Sequence, residues 1–439
     1  MRNKHFVLLF ICVVLAPKAF PQTIVPVSRA VEYYIHDSVD NIGNLYIKAW
    51  CELPSVLTFV NGDGSVTICS SDAKTTYIYE YDINLKEQKT VHFENELGQL
   101  GAFAKDDDGN YYFFYGSRTT DRNAENMAIV KYDPEGEKLN TFKLNAFALN
   151  SFGGIKIPFD AGTCRLEMSG SMLVVYFARE MFSGHQASYG FVLDKDTFER
   201  IDRGQVANNK RELSGNNIIP YVSHSFNQFV LPIENGFVFA DHGDAFPRRA
   251  FTFAKFQNGA ITRRVHAFGF PGTRGQNATY AEMGGLAKTQ SGYIFAGAYG
   301  VQINNPRNLF VLTFDEEMTK CSAPIYLTKY TRNDGHTGHP KIVALDSGRY
   351  LLLWELFKFS TQSANSIVSQ RTEYLSTWML IIDETGKAVS EPQELKGVRL
   401  NMNDVLRYNR HNGKVYWAIN DTSASITVYA MDITENRGQ

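Results

Sequence analysis

The chain has 439 residues, with 44 Lys and Arg against 46 Asp and Glu, so its formal net charge is −2. That balance leaves no electrostatic footprint for nucleic acid, and 44% hydrophobic with 21% charged residues excludes a disordered chain. Aromatic residues reach 13%, with 31 Phe and 23 Tyr, a bias that favours strands over helices.

The first element is a targeting segment, residues 1–22. Arg2 and Lys4 precede an apolar run from Phe6 to Ala16, the pattern of a secretory signal peptide, with cleavage expected between Ala19 and Gln22. The run is too short for a membrane span, which needs about 20 residues, and no later segment reaches that length. Ile11 stands before Cys12, where a lipid-modified cysteine would follow a small residue. The mature chain is therefore expected to be secreted, periplasmic or at the cell surface, without a lipid anchor. Cys51, Cys69, Cys164 and Cys321 remain in it, with no C-x-x-C pair among them. Separate thiols are expected, Cys51–Cys69 being the alternative bridge.

From residue 56 onward one unit recurs seven times. A hydrophobic strand meets a glycine-bearing turn, and a second, more apolar strand follows. The turns carry Gly64, Gly109, Gly170, Gly236, Gly292, Gly348 and Gly413, supplying the backbone freedom that tight hairpins need. A third strand follows each hairpin and usually closes on an aspartate: Asp82, Asp133, Asp194, Asp315, Asp383 and Asp432. A weaker fourth strand follows in the first six units, as from Thr90 to Phe93. Amphipathic helical periodicity is almost absent.

Four-stranded meanders repeated in this way stack radially, because each sheet must bury both faces on its neighbours. The expected fold is all-β: a seven-bladed β-propeller of four-stranded blades, one domain over residues 23–439. Blades are expected to start near 55, 100, 163, 224, 283, 338 and 402. Two β-sandwich domains are the rival, disfavoured by the constant unit and the lack of a linker. The seventh unit has only three strands, so residues 24–50, with a strand from Ala30 to Ile35, are expected to complete it and close the ring.

In such a blade the start of the innermost strand and the end of the second lie on the face opposite the hairpin tips. The tips take turns such as Asp106–Gly109, where the later ligands of a calcium loop are missing. The opposite face collects Arg179, His185, Gln186, His224, Asn227, Asp241, His242, Asp244, Arg248, Glu282 and His339. These residues are expected to form a polar mouth over the central channel and to bind a ligand there, with His224, His242 and Asp241 as candidates for acid–base chemistry. Each also has a structural alternative: a buried histidine bonded to a neighbouring carbonyl, an aspartate capping a turn, Arg248 paired with Asp244 or Glu282.

The densest stretches are His-Ser-Phe-Asn-Gln at 224–228 and Asp-His-Gly-Asp-Ala-Phe-Pro-Arg at 241–248. They resemble a group of exported bacterial β-propeller proteins of unassigned activity. The resemblance implies a propeller and an extracytoplasmic setting, and it brings no reaction with it. Three functions stay open: a module binding a carbohydrate or other small polar ligand, an enzyme acting on a polysaccharide or ester, and an adhesion scaffold without a ligand. No cofactor fingerprint and no metal-ligand spacing such as H-E-x-x-H is present, so neither a cofactor nor a metal is expected. The sequence leaves the oligomeric state open.

Overall fold

Each strand–turn–strand unit folds as an antiparallel hairpin that further strands extend outward. The computed structural model describes residues 24–31, 45–48, 51–147, 152–160, 162–202, 219–276, 279–301, 305–359, 369–422 and 424–433. Seven four-stranded antiparallel sheets follow in chain order. Their innermost strands are Val56–Val60, Gln99–Lys105, Cys164–Ser169, Ser225–Ile233, Ala281–Lys288, His336–Ala344 and Arg407–Asn409. Each innermost strand meets that of the next blade, and the seventh meets the first. The result is a closed seven-bladed β-propeller.

Closure is made by the N-terminus. Ile24–Ala30 pairs antiparallel with Ser425–Asp432, from Ile24 opposite Met431 to Ala30 opposite Ser425. It is the outermost strand of blade seven, and it also grips blade one, since Arg29 lies over the Tyr79 ring and pairs with Glu87. The strand thus precedes the expected one from Ala30 to Ile35, of which residues 32–35 lie outside the described residues, as does the signal-like segment. The strand packs on both sides: Ile24 joins the core on one face and Val27 that on the other, while Val25 faces solvent. Blade three departs from the pattern. Ile157–Pro158 pairs with the end of its second strand, and beyond its third strand a Leu193–Arg200 bridge is formed.

The aromatic excess goes between blades. Phe251 and Phe253 of blade four meet Phe295 of blade five at 5.0 and 5.2 Å between ring centroids. The recurrent aspartates have a local task. Asp82 accepts the amides of Asn84 and Lys86, and Asp383 those of Thr385 and Lys387. Each carboxylate thereby turns the chain from the third strand into the fourth. Asp106 does the same at a hairpin tip, taking the Asp108 and Asn110 amides, so the 105–110 stretch is a self-satisfied turn.

On the opposite face the innermost strands enter irregularly. Register shifts fall between Ser225 and Gln228, Met283 and Gly285, and Gly338 and Lys341. Bulges re-aim side chains, and here they do so at the rim. His224, Tyr280 and His339 at these entrances have φ of 52°, 55° and 49°, a left-handed backbone uncommon outside glycine.

Candidate functional site

Adjacent strand residues face opposite ways, and this separates Asp241 from His242. Both lie in Gly236–Gly243, the second strand of blade four. Asp241 turns toward blade three, where Tyr176 Oη donates to it at 2.6 Å, and it also accepts from Ser225 Oγ of its own blade at 2.8 Å. Burial, only partly offset by these donors, pushes its carboxyl up to about 7. His242 turns toward blade five. Its Nε2 lies 2.8 Å from Thr279 Oγ1, and Phe226, Phe251 and Phe270 box the ring at 5.1 Å. Burial, then the Arg307 and Arg249 charges, holds its pKa well below the usual histidine value. At 1% exposure each, neither residue stands in a polar mouth; both are joints between blades.

What the rim presents comes from their neighbours. The His224 side chain is 22% exposed, and its Nδ1 lies 3.0 Å from Asp244 Oδ1, whose side chain is fully buried. Neither Asp244 oxygen is aligned for a hydrogen bond. Arg249 Nη1 approaches the other oxygen at 3.5 Å and donates to the Gln276 carbonyl, while Nε donates to that of Pro271. It thereby ties the loop 271–276 over the rim. Arg248, one residue earlier, is exposed and takes no part in that pairing. From blade three, His185 Nε2 meets Ser223 Oγ at 2.6 Å, and its ring centroid is 4.9 Å from that of His224. Gln186 Nε2 donates to Asp160 at 3.4 Å, and burial raises the pKa of that carboxyl.

The remaining sequence-predicted residues lie apart. Asn227 is buried and accepts from Thr163 Oγ1 at 3.1 Å. Glu282 takes the His339 amide at 3.0 Å and faces Arg307 at 3.4 Å. His339 Nδ1 meets Glu355 at 2.7 Å, and Glu355 also accepts from Arg399 Nε and the Leu400 amide. Burial alone would raise the Glu355 carboxyl, but His339 and Arg399 outweigh it and hold it at about 2. This second network bolts blades five, six and seven together.

The axis itself is crossed by cations. Arg165 of blade three reaches the Asn403 carbonyl before blade seven at 2.8 Å and that of Gln228 at 2.7 Å. Lys341 of blade six donates to the Met402 and Asp404 carbonyls, and the Cys51 amide donates to Phe226 O at 3.0 Å. Arg165 and Lys341 are inward positions of innermost strands, a signal readable in the alternation. Ser223 and Arg249 flank the motif residues, and the fold shows what they hold: Ser223 meets His185, and Arg249 the 271–276 loop. Among the described residues no group of three or more His, Cys, Asp or Glu is placed to hold a metal ion.

No protein-family model matches the chain, and no curated protein is similar to it. Solved structures are similar in fold. A protein of unknown function from Dyadobacter fermentans is 8% identical over 93% of this chain and 99% of its own, with a TM-score of 0.41. The β-propeller domain of the Trilobed protease from Pyrococcus furiosus is 11% identical over 87% and 94%, at 0.43. A structure of Drosophila Plexin A in complex with Semaphorin 1b matches at 9% identity over 91% and 87%, at 0.42. At such identities the likeness is one of fold, and no activity comes with it.

Proposed function

We propose that this chain is an exported propeller that binds a carbohydrate or similar small polar ligand at the rim between blades three and four. The observation that carries the reading is the contrast within one motif. Asp241 and His242 are consumed by inter-blade contacts, whereas His224 reaches solvent on a buried Asp244 whose oxygens lack aligned donors. A polar group assembled at a rim with a partly exposed imidazole suits hydrogen bonding to hydroxyls. Export is supported by the residue 1–22 pattern alone. Binding is preferred to catalysis because the hydroxyl that meets His185, that of Ser223, is 2% exposed and is not presented as a nucleophile.

The test is calorimetric titration of a panel of neutral and acidic mono- and oligosaccharides against the wild type and His224→Ala. A sugar that binds the wild type and loses at least tenfold affinity in the variant supports the reading. Equal affinity for both proteins would place the ligand elsewhere.

A further inference from the structure

One side chain of the predicted set has a charge that the described residues leave unanswered. Arg179 closes the second strand of blade three and is fully buried. Its Nη1 donates to the Gly154 carbonyl, and the guanidinium lies 5.0 Å over the Tyr189 ring. Among the described residues Nε and Nη2 have no hydrogen-bond partner, and neither does the buried hydroxyl of Tyr221. No carboxylate pairs with Arg179 among the described residues, and the neighbouring phenols of Tyr189 and Tyr221, pushed by burial up to about 12, are neutral at pH 7. Burial pulls its pKa down to about 10, so it is a cation at neutral pH. An unpaired buried charge is strongly unfavourable, and a single cation–π contact offsets only part of that.

The position of Arg179 connects it to the rim. It pairs with Ala187, and Ala187 pairs with Ser223. Directly opposed residues of antiparallel strands share a face, so Arg179, Ala187 and Ser223 line one face of blade three. At ~4.8 Å per strand, Arg179 lies roughly 10 Å from Ser223, whose hydroxyl meets His185. Between them the small Ala187 packs with Tyr221 and Met181, and the half-buried rings of Phe152 and Phe246 pack over this group. Nearby charges do not supply the missing anion: Glu180 is bound to Lys156 at 2.6 Å, Asp160 to Gln186, and Asp244 faces His224 and Arg249.

We infer that Arg179 and Tyr221 form a receptor for an oxyanion group, a carboxylate or sulfate, beneath Phe152 and Phe246. Two free guanidinium donors and one phenol match the two or three acceptor oxygens of such a group. This inference rests on the rim reading in one respect: the anion is carried by the ligand bound at His185 and His224, which makes that ligand an acidic sugar.

The experiment is a titration of the full chain with sodium glucuronate, glucose and sodium sulfate at constant ionic strength, repeated on Arg179→Gln and Tyr221→Phe. Glucuronate should bind the wild type at least tenfold more tightly than glucose, and both variants should lose that preference. Tyr221→Phe removes only an unbonded hydroxyl, so it keeps the test valid should Arg179→Gln fail to fold. Sulfate binding that both variants abolish, with no sugar bound, would uphold the anion receptor and overturn the rim reading. Glucose and glucuronate binding equally, with His224→Ala weakening both, would uphold the rim and overturn the receptor. Binding of neither sugar nor sulfate to a folded wild type overturns the receptor as well.

Discussion

The buried Asp241 carboxyl makes a stability prediction with a definite sign. Its folded-state pKa of about 7 lies above the ordinary 3.8 because burial disfavours the charged form more than Tyr176 and Ser225 favour it. Between those values the folded protein holds a proton that the unfolded chain has released. Stability from this group therefore falls as pH rises from 4 to 7 and levels off above that. The full interval corresponds to about 4 kcal/mol at ~1.4 kcal/mol per pH unit, and more than half of it falls between pH 5 and pH 8. Asp241→Asn keeps an oxygen for Tyr176 and Ser225 but cannot ionise. Urea unfolding of both proteins at pH 5, 6, 7 and 8 isolates the effect, because other titrating groups cancel in the difference. The variant should gain on the wild type by about 2 to 3 kcal/mol across that range. A flat difference would refute the reasoning and mean that the site hydrates on ionisation.

Further outcomes follow from the same structure. Glu355 behaves oppositely: its carboxyl is held at about 2 by His339 and Arg399 against burial, so its contribution is present above the ordinary 4.5 and is lost as pH falls toward 2. Glu355→Gln should flatten the acid limb of the stability curve, and an unchanged limb in acid titration by circular dichroism would contradict the network. Deleting residues 24–30 exposes the outer edge of Ser425–Asp432 and removes the Arg29 contacts to blade one. The urea transition should lose cooperativity, whereas a transition of unchanged midpoint and slope would place closure elsewhere. Of the four cysteines outside the signal-like segment, all unbridged, Cys51, Cys69 and Cys164 are buried and Cys321 is exposed. Native protein should take up one iodoacetamide and unfolded protein should take up the others, by mass spectrometry. Two or more rapid labels in the native state would show an open channel around Cys51.

The blade repeat was legible because hairpin geometry is local: a glycine turn between apolar strands needs no knowledge of the rest of the chain. The closing aspartates were visible as a pattern, and the structure adds their purpose at Asp82 and Asp383. Which side of a blade a rim residue faces was less legible. Asp241 and His242 are consecutive, so one must face blade three and the other blade five, and a shared motif hides that split. The same parity puts Arg249 rather than Arg248 against Asp244. The bulge between Ser225 and Gln228 breaks the alternation by which Asn227 would be assigned a direction. The separation of His339 and Glu282 from His224 depends on blade order around the ring, and chain order alone does not reveal the networks that fill it.

The account stands on a division between residues that hold blades together and residues held at a rim. Comparing His242→Ala with His224→Ala by urea unfolding at pH 7 tests that division without knowledge of the ligand. His242 fills an aromatic box and bonds Thr279, so its loss should cost about 3 kcal/mol, as for other large buried side chains. His224 is partly exposed, and the buried Asp244 keeps Arg249 at 3.5 Å when the imidazole is removed, so its loss should cost about 1 kcal/mol, well below that of His242. Comparable losses of several kcal/mol in both variants would contradict the division and make the blade three–four rim one more structural joint.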